Sequence, residues 1–122
     1  MKKVLLVEDI ATNIKVAELY LKKIGCSVKT AMNGEDAIEI LKKDAFDVIF
    51  LDIEMPVMNG FETTKRIRSG FAGEQNKNIY ICALTAHAIS GFKEKCLDAG
   101  MNDFISKPVN RDKFLHALSS LR

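Results

Sequence analysis

Short apolar runs alternate along this chain with segments whose apolar residues return every three or four positions. VLLV (Val4–Val7), VIFL (Val48–Leu51) and IYICAL (Ile79–Leu84) are the strong runs, and Ser27–Thr30 and Asp103–Ser106 are weaker ones. Between them lie Ile14, Ala17, Leu21 and Ile24, closed by Gly25 as a helix C-cap. Ala37, Ile38 and Leu41 mark a second helix after Asn33–Gly34, and Phe61, Thr64 and Ile67 a third after Asn59–Gly60. Ala88, Phe92, Cys96 and Ala99 line a fourth, closed by Gly100. A fifth bears Phe114, Leu115, Leu118 and Leu121, with Asn110 able to cap it. Ser69–Asn78 is polar and Gly-containing and reads as a loop. The order is strand then helix, five times over. Continuously apolar strands are buried on both faces, which requires a parallel sheet covered by helices on each side. Right-handed crossovers leave a doubly wound, five-stranded α/β sheet as the economical topology. Ligands of such sheets sit beyond the carboxyl ends of the strands.

The bulk numbers set limits on function. A chain of 122 residues makes one domain, residues 1–122, able to bury roughly two thirds of its unfolded surface. A hydrophobic share of 48% and a charged share of 28% are those of an ordinary soluble protein. A net charge of +2 is too small for a dedicated nucleic-acid binder. Cys26, Cys82 and Cys96 lie far apart with no metal-binding spacing, so they read as reduced, buried hydrophobes of a cytoplasmic protein. The N-terminal VLLV stops at two acids and is too short for a signal peptide or a membrane span.

Polar residues stand at the carboxyl ends of four of the five strand segments. Glu8 and Asp9 follow the first, Asp52 ends the third, Thr85 the fourth, and Lys107 follows the fifth. In a parallel sheet these ends share one edge. Three carboxylates crowded there repel one another and raise the pKa of at least one. A hard divalent cation relieves that crowding, and Mg²⁺ suits one or two carboxylates together with waters and phosphate oxygens. Lysine and a hydroxyl complete the parts for holding a phosphoryl group, and a carboxylate can itself be the nucleophile. Taken singly, each residue also fits a turn or an N-cap; their coincidence on one edge is the informative feature.

The stretches VLLVED, VIFLDIEMPVMNG, ALTA and DFISKPV, in this order and spacing, resemble the response-regulator receiver domain of two-component signalling. ALTAHA and DAGMNDFISKPV are most similar to receivers of hybrid sensor kinases or single-domain relays. The resemblance implies a flavodoxin-like, chemotaxis-regulator-like (βα)5 fold with strand order 2-1-3-4-5. It implies that Asp52 accepts a phosphoryl group from a partner phosphohistidine. Glu8, Asp9, Asp52 and the backbone carbonyl of Glu54 would bind Mg²⁺. Thr85 and Lys107 would each hold a phosphoryl oxygen, and the peptide before Pro108 would be cis. Thr85 and Phe104 would form the switch that remodels the face of the fourth helix, fifth strand and fifth helix. Glu54 and His87 would tune the lifetime of the aspartyl phosphate.

The partner implied is a histidine kinase or a histidine phosphotransfer domain, meeting the first helix around Asn13, Ile14 and Ala17. From periodicity, Ile14 and Ala17 are core, and Thr12, Asn13, Lys15 and Val16 are more exposed. Ile10 departs from the polar residue frequent in this subgroup; it reads equally as a partner contact or a packed loop residue. A downstream protein could meet the switch face, with the chain a monomer or a phosphorylation-dependent dimer. Neither nucleic acid nor membrane is expected. The chain ends directly after the fifth helix, so no transcriptional output is expected of it. Competing readings are a small Mg²⁺-dependent phosphatase with Glu54 as general acid and a degenerate, binding-only receiver. A flavodoxin-like electron carrier lacks support, because no Ser/Thr/Gly-rich loop follows the first strand.

Overall fold

The computed structural model describes residues 2–121. Strands β1 (Lys3–Val7), β2 (Ser27–Ala31), β3 (Val48–Asp52), β4 (Tyr80–Thr85) and β5 (Asp103–Ser106) alternate with helices. The helices are α1 (Ala11–Lys23), α2 (Gly34–Lys43), α3 (Gly60–Arg68), α4 (Phe92–Asp98) and α5 (Arg111–Leu118). Among the described residues all four strand pairings are parallel, as the apolar strands predict, and the order is β2-β1-β3-β4-β5, as the resemblance implies.

Side-chain parity builds the two cores. Successive residues of a strand face opposite sides of the sheet. Leu5, Val7, Ile49, Leu51, Ile81 and Ala83 therefore share one face, where they pack on Ala37 and Leu41 of α2, Ile67 of α3 and Phe92 and Cys96 of α4. Val4, Leu6, Val48, Phe50, Cys82 and Leu84 share the other, against Ala17 and Leu21 of α1 and Phe114 and Ala117 of α5. Phe50 meets Phe114 edge-on at 4.9 Å between ring centroids. A pair of fully buried rings of this kind adds about 1 kcal/mol beyond its area burial.

Local chemistry fixes the helix ends. Asn33, Asn59 and Asn110 each accept a hydrogen bond from the backbone N–H three residues on. Each such cap stabilises its helix by about 1 kcal/mol. Gly25, at φ +94°, turns the chain out of α1 as expected.

Three expectations change. The fourth helix begins at Phe92, and Ala88 lies outside it. Gly91 takes a left-handed φ of +81°, and Phe92 N–H closes a turn on Ile89 O, so residues 86–91 form an exposed loop. On α5, Leu115 is exposed and Ala117 takes the core position. The segment 69–78 contains a 3₁₀ turn, Glu74–Asn76. There the buried Asn76 amide donates to Leu41 O and Ala72 O, tying the segment to the end of α2. All three cysteines are free and buried. Among the described residues, no helix is long and apolar enough to cross a membrane.

Candidate functional site

The sheet order reverses between β1 and β3. From β1 the chain moves outward to β2, and it returns on the other side as β3. Loops leaving adjacent strands in opposite directions open a crevice at their carboxyl ends. Glu8 and Asp9 follow β1, and Asp52 is the last residue of β3, so the three carboxylates flank this crevice. One oxygen from each lies within 4.8 Å of the others.

The acids are tucked in rather than solvated. Asp52 is 1% exposed and Glu8 is 2% exposed. Lys107, carried by the loop after β5, reaches across the end of β4 and donates to Asp52 Oδ1 at 3.1 Å. Its Nζ is also 3.3 Å from Glu8 Oε2. Burial, then the charge of Asp52, pushes the Glu8 carboxyl up to about 7 against the opposing pull of Lys107. Burial alone would lower the Lys107 ammonium, but the hydrogen bond and charge of Asp52, with those of Glu8, outweigh it and hold its pKa above the ordinary lysine value. Asp9 Oδ1 is buried and has no hydrogen-bond partner among the described residues. An orphaned buried carboxylate oxygen beside two other acids has the chemistry of an incomplete cation shell, and oxygen ligands of this kind fit Mg²⁺.

The surrounding loops hold this arrangement in place. Gly60 donates its N–H to Ile53 O, which seats the start of α3 on the end of β3. A Cβ on Gly60 would stand 2.8 Å from Asp52 O and 2.9 Å from Ile53 Cα, so only glycine allows the approach. The Lys107–Pro108 peptide is cis, as expected. Lys113 of α5 donates to Ser106 O and Pro108 O on either side of Lys107. Nothing in the sequence pattern marked that lysine, because its partners are backbone carbonyls that only the folded loop presents.

Thr85 is fully buried at the end of β4 and donates its hydroxyl to Glu54 Oε2 at 2.7 Å. Glu54 N–H in turn donates to Asp52 Oδ1 at 3.1 Å. His87 is exposed, with Nδ1 3.8 Å from Glu54 Oε2. Phe104 lies farther along β5, half-buried, its ring edge-on to Phe92 at 5.5 Å. The structure thus brings Glu8, Asp9, Asp52, Lys107, Glu54, Thr85 and His87 to one edge and sets Phe104 apart, against α4. On α1, Ala17 is buried and Ile14 half-buried, while Thr12, Asn13, Lys15 and Val16 are exposed. Ile10 is 50% exposed. Beside Glu8 and Lys107, a groove of about 460 Å³ runs between α1 and the β5–α5 loop, with Asn13, Val16, Ala17, Leu84, Pro108 and Val109 in its walls.

Known proteins share the sequence pattern and the fold. The hybrid signal transduction histidine kinase K of Dictyostelium discoideum is 41% identical over 123 residues, a match covering 95% of this chain and 10% of that protein. The chain therefore spans about a tenth of the length of this curated relative. The chemotaxis protein CheY4 of Vibrio cholerae has the same fold, with a TM-score of 0.87 and 31% identity over 100% of this chain and 99% of that one. The receiver domain of the sensor histidine kinase PA1611 of Pseudomonas aeruginosa superposes with a TM-score of 0.85 at 36% identity, covering 97% of this chain and 94% of that one. It is described with a magnesium ion coordinated in its active-site cleft. The family model of the response regulator receiver domain matches residues 4–119, from the first buried strand to the last turn of α5. The chain belongs to the response regulator receiver domains of two-component and phosphorelay signalling.

Proposed function

We propose that residues 1–122 act as one phosphoryl-accepting receiver. Asp52 takes a phosphoryl group from a phosphohistidine of a histidine kinase or histidine phosphotransfer domain. The observation that carries this reading is the meeting of Asp52 with Lys107, Glu8 and the unpartnered Asp9 oxygen at the switch point of the sheet. Glu8, Asp9, Asp52 and the backbone carbonyl of Glu54 would hold Mg²⁺. When bound, the ion neutralises charge on the carboxylates and on the transferring group. An Asp52 carboxylate oxygen forms the new bond to phosphorus as the P–N bond to the donor imidazole breaks, and the bonding pair leaves on that nitrogen. Lys107 supplies a positioned cation for the phosphoryl oxygens, and the Thr85 hydroxyl a neutral donor.

Phosphorylation would then draw Thr85 toward Asp52 and free space for Phe104 to rotate, which repacks its contact with Phe92. That contact joins β5 to α4 on the α4–β5–α5 face. A downstream protein or a second copy would read the change there. The donor domain would dock on α1 beside the groove. Glu54 faces Thr85, which counts against a phosphatase in which Glu54 serves as general acid. His87, exposed beside Glu54, and Glu54 itself would tune the lifetime of the adduct.

Intact mass after incubation with acetyl phosphate tests the reading. A gain of one phosphoryl group that needs Mg²⁺ and is absent from Asp52→Asn is the expected result. No adduct from acetyl phosphate or from any phosphohistidine donor would overturn it.

A further inference from the structure

The donors of Thr85 and Ala86 are occupied in this structure. Glu54 Oε2 accepts from the Thr85 hydroxyl at 2.7 Å, and Glu54 Oε1 accepts from Ala86 N–H at 3.0 Å. Two donors from consecutive residues at the end of β4 therefore grip both oxygens of one carboxylate. This is how a protein holds an oxyanion. The Thr85 oxygen meanwhile accepts from His87 N–H at 3.0 Å, so the hydroxyl is fixed from both sides. A threonine hydroxyl has a single proton to donate. It cannot serve Glu54 and a phosphoryl oxygen at the same time.

The geometry also says where the competitor would stand. Asp52 and Leu84 are register partners in β3 and β4, so Thr85 lies one residue past the level of Asp52 on the neighbouring strand. Glu54 is anchored at that spot by its own N–H on Asp52 Oδ1, and its side chain bridges from the β3–α3 loop to the β4–α4 loop. Residues 86–91 of the second loop are exposed.

Resting on the receiver reading, we propose that Glu54 is an internal stand-in for the phosphoryl group. Its carboxylate occupies the Thr85 hydroxyl and the Ala86 N–H until the aspartyl phosphate displaces it. This goes beyond tuning of adduct lifetime. Glu54 opposes formation of the phosphorylated state, and its expulsion releases the β4–α4 loop. Phosphorylation thereby exchanges one anion for another on the same two donors, and the loop changes its tether from β3–α3 to the phosphoryl group.

Binding of beryllofluoride, a tetrahedral phosphoryl mimic, measured by calorimetry with Mg²⁺ present, tests this. Wild type is compared with Glu54→Ala and Glu54→Asp. The shorter aspartate keeps the charge but lacks the reach to grip both donors. Displacing a ligand that holds charge-assisted hydrogen bonds has a cost, so Glu54→Ala is expected to bind roughly tenfold tighter. Glu54→Asp is expected to tighten at least threefold. Hydrogen exchange supplies a readout without metal or ligand: the Ala86 amide should exchange roughly tenfold faster in Glu54→Ala. A tighter Glu54→Ala beside an unchanged Glu54→Asp would reduce the effect to charge repulsion and overturn the stand-in. Unchanged or weaker binding in both variants overturns it while wild-type binding leaves the receiver reading standing. Failure of wild type and variants alike to bind beryllofluoride or to form an adduct overturns both.

Discussion

Lys107 Nζ meets Asp52 Oδ1 at 3.1 Å by reaching over the carboxyl end of β4, which lies between the strands that carry them. The same ammonium sits 3.3 Å from Glu8 Oε2, so one cation serves two buried acids.

Removing that cation leaves the acids facing each other. Lys107→Met is expected to destabilise the metal-free protein by about 3 kcal/mol, because a buried charge without its partner is strongly unfavourable. Mg²⁺ should recover more stability in this variant than in wild type, since the lysine no longer competes for the carboxylates. A ligand at a hundredfold excess over its Kd stabilises by about 2.7 kcal/mol, a shift that urea unfolding resolves. Equal Mg²⁺ increments in the two proteins would mean that ion and lysine do not share these acids.

Gly60→Ala should couple stability to function. Its Cβ would press on the Asp52–Ile53 backbone at 2.8 Å and 2.9 Å, where there is no flexible side chain to give way. Strain at a backbone contact is expected to cost about 2 kcal/mol and to slow phosphorylation by acetyl phosphate together with it. A variant that melts earlier but labels at the wild-type rate would show that α3 does not hold Asp52 in place.

Val57, in the same β3–α3 loop, has φ +69° and is fully exposed. A β-branched residue in left-handed backbone is strained, and here no burial offsets the strain. Val57→Asn, which tolerates that conformation, is expected to stabilise the protein by about 1 kcal/mol in urea unfolding. A loss of stability would mean that the valine makes contacts beyond this chain's own surface.

Alkaline pH should weaken the fold through its thiols. Burial pushes the Cys96 thiol up to about 11, from 9.0 in an exposed setting, and raises Cys82 as well. Between these values the folded chain keeps a proton that the unfolded chain has released. The folded state binds more protons there, so stability falls as pH rises through the window and is fully present below it. Urea midpoints measured at intervals from pH 8 to about 11 test the slope, and Cys96→Ala should flatten it.

Periodicity alone determined the five strands, the five helices and the doubly wound class, because burial on both faces of a parallel sheet writes itself into every central strand. It also brought Glu8, Asp9, Asp52, Thr85 and Lys107 to one edge, since strand ends in a parallel sheet have nowhere else to go. The resemblance of VIFLDIEMP and DFISKPV to receivers added the strand order and the cis Pro108. Tertiary structure decided the rest. Ala88 continues a helical spacing in sequence, yet Gly91 and the turn closed on Ile89 keep it out of α4. Leu115 looks like core by type, but α5 turns Ala117 inward. Glu54 reads in sequence as a tuning residue two positions past Asp52, and only the approach of two loops gives its carboxylate the Thr85 and Ala86 donors. Hydrophobic spacing is a local property that survives in one dimension. The pairing of a buried donor with an acceptor is set by which loops the sheet brings together, and that has no one-dimensional signature.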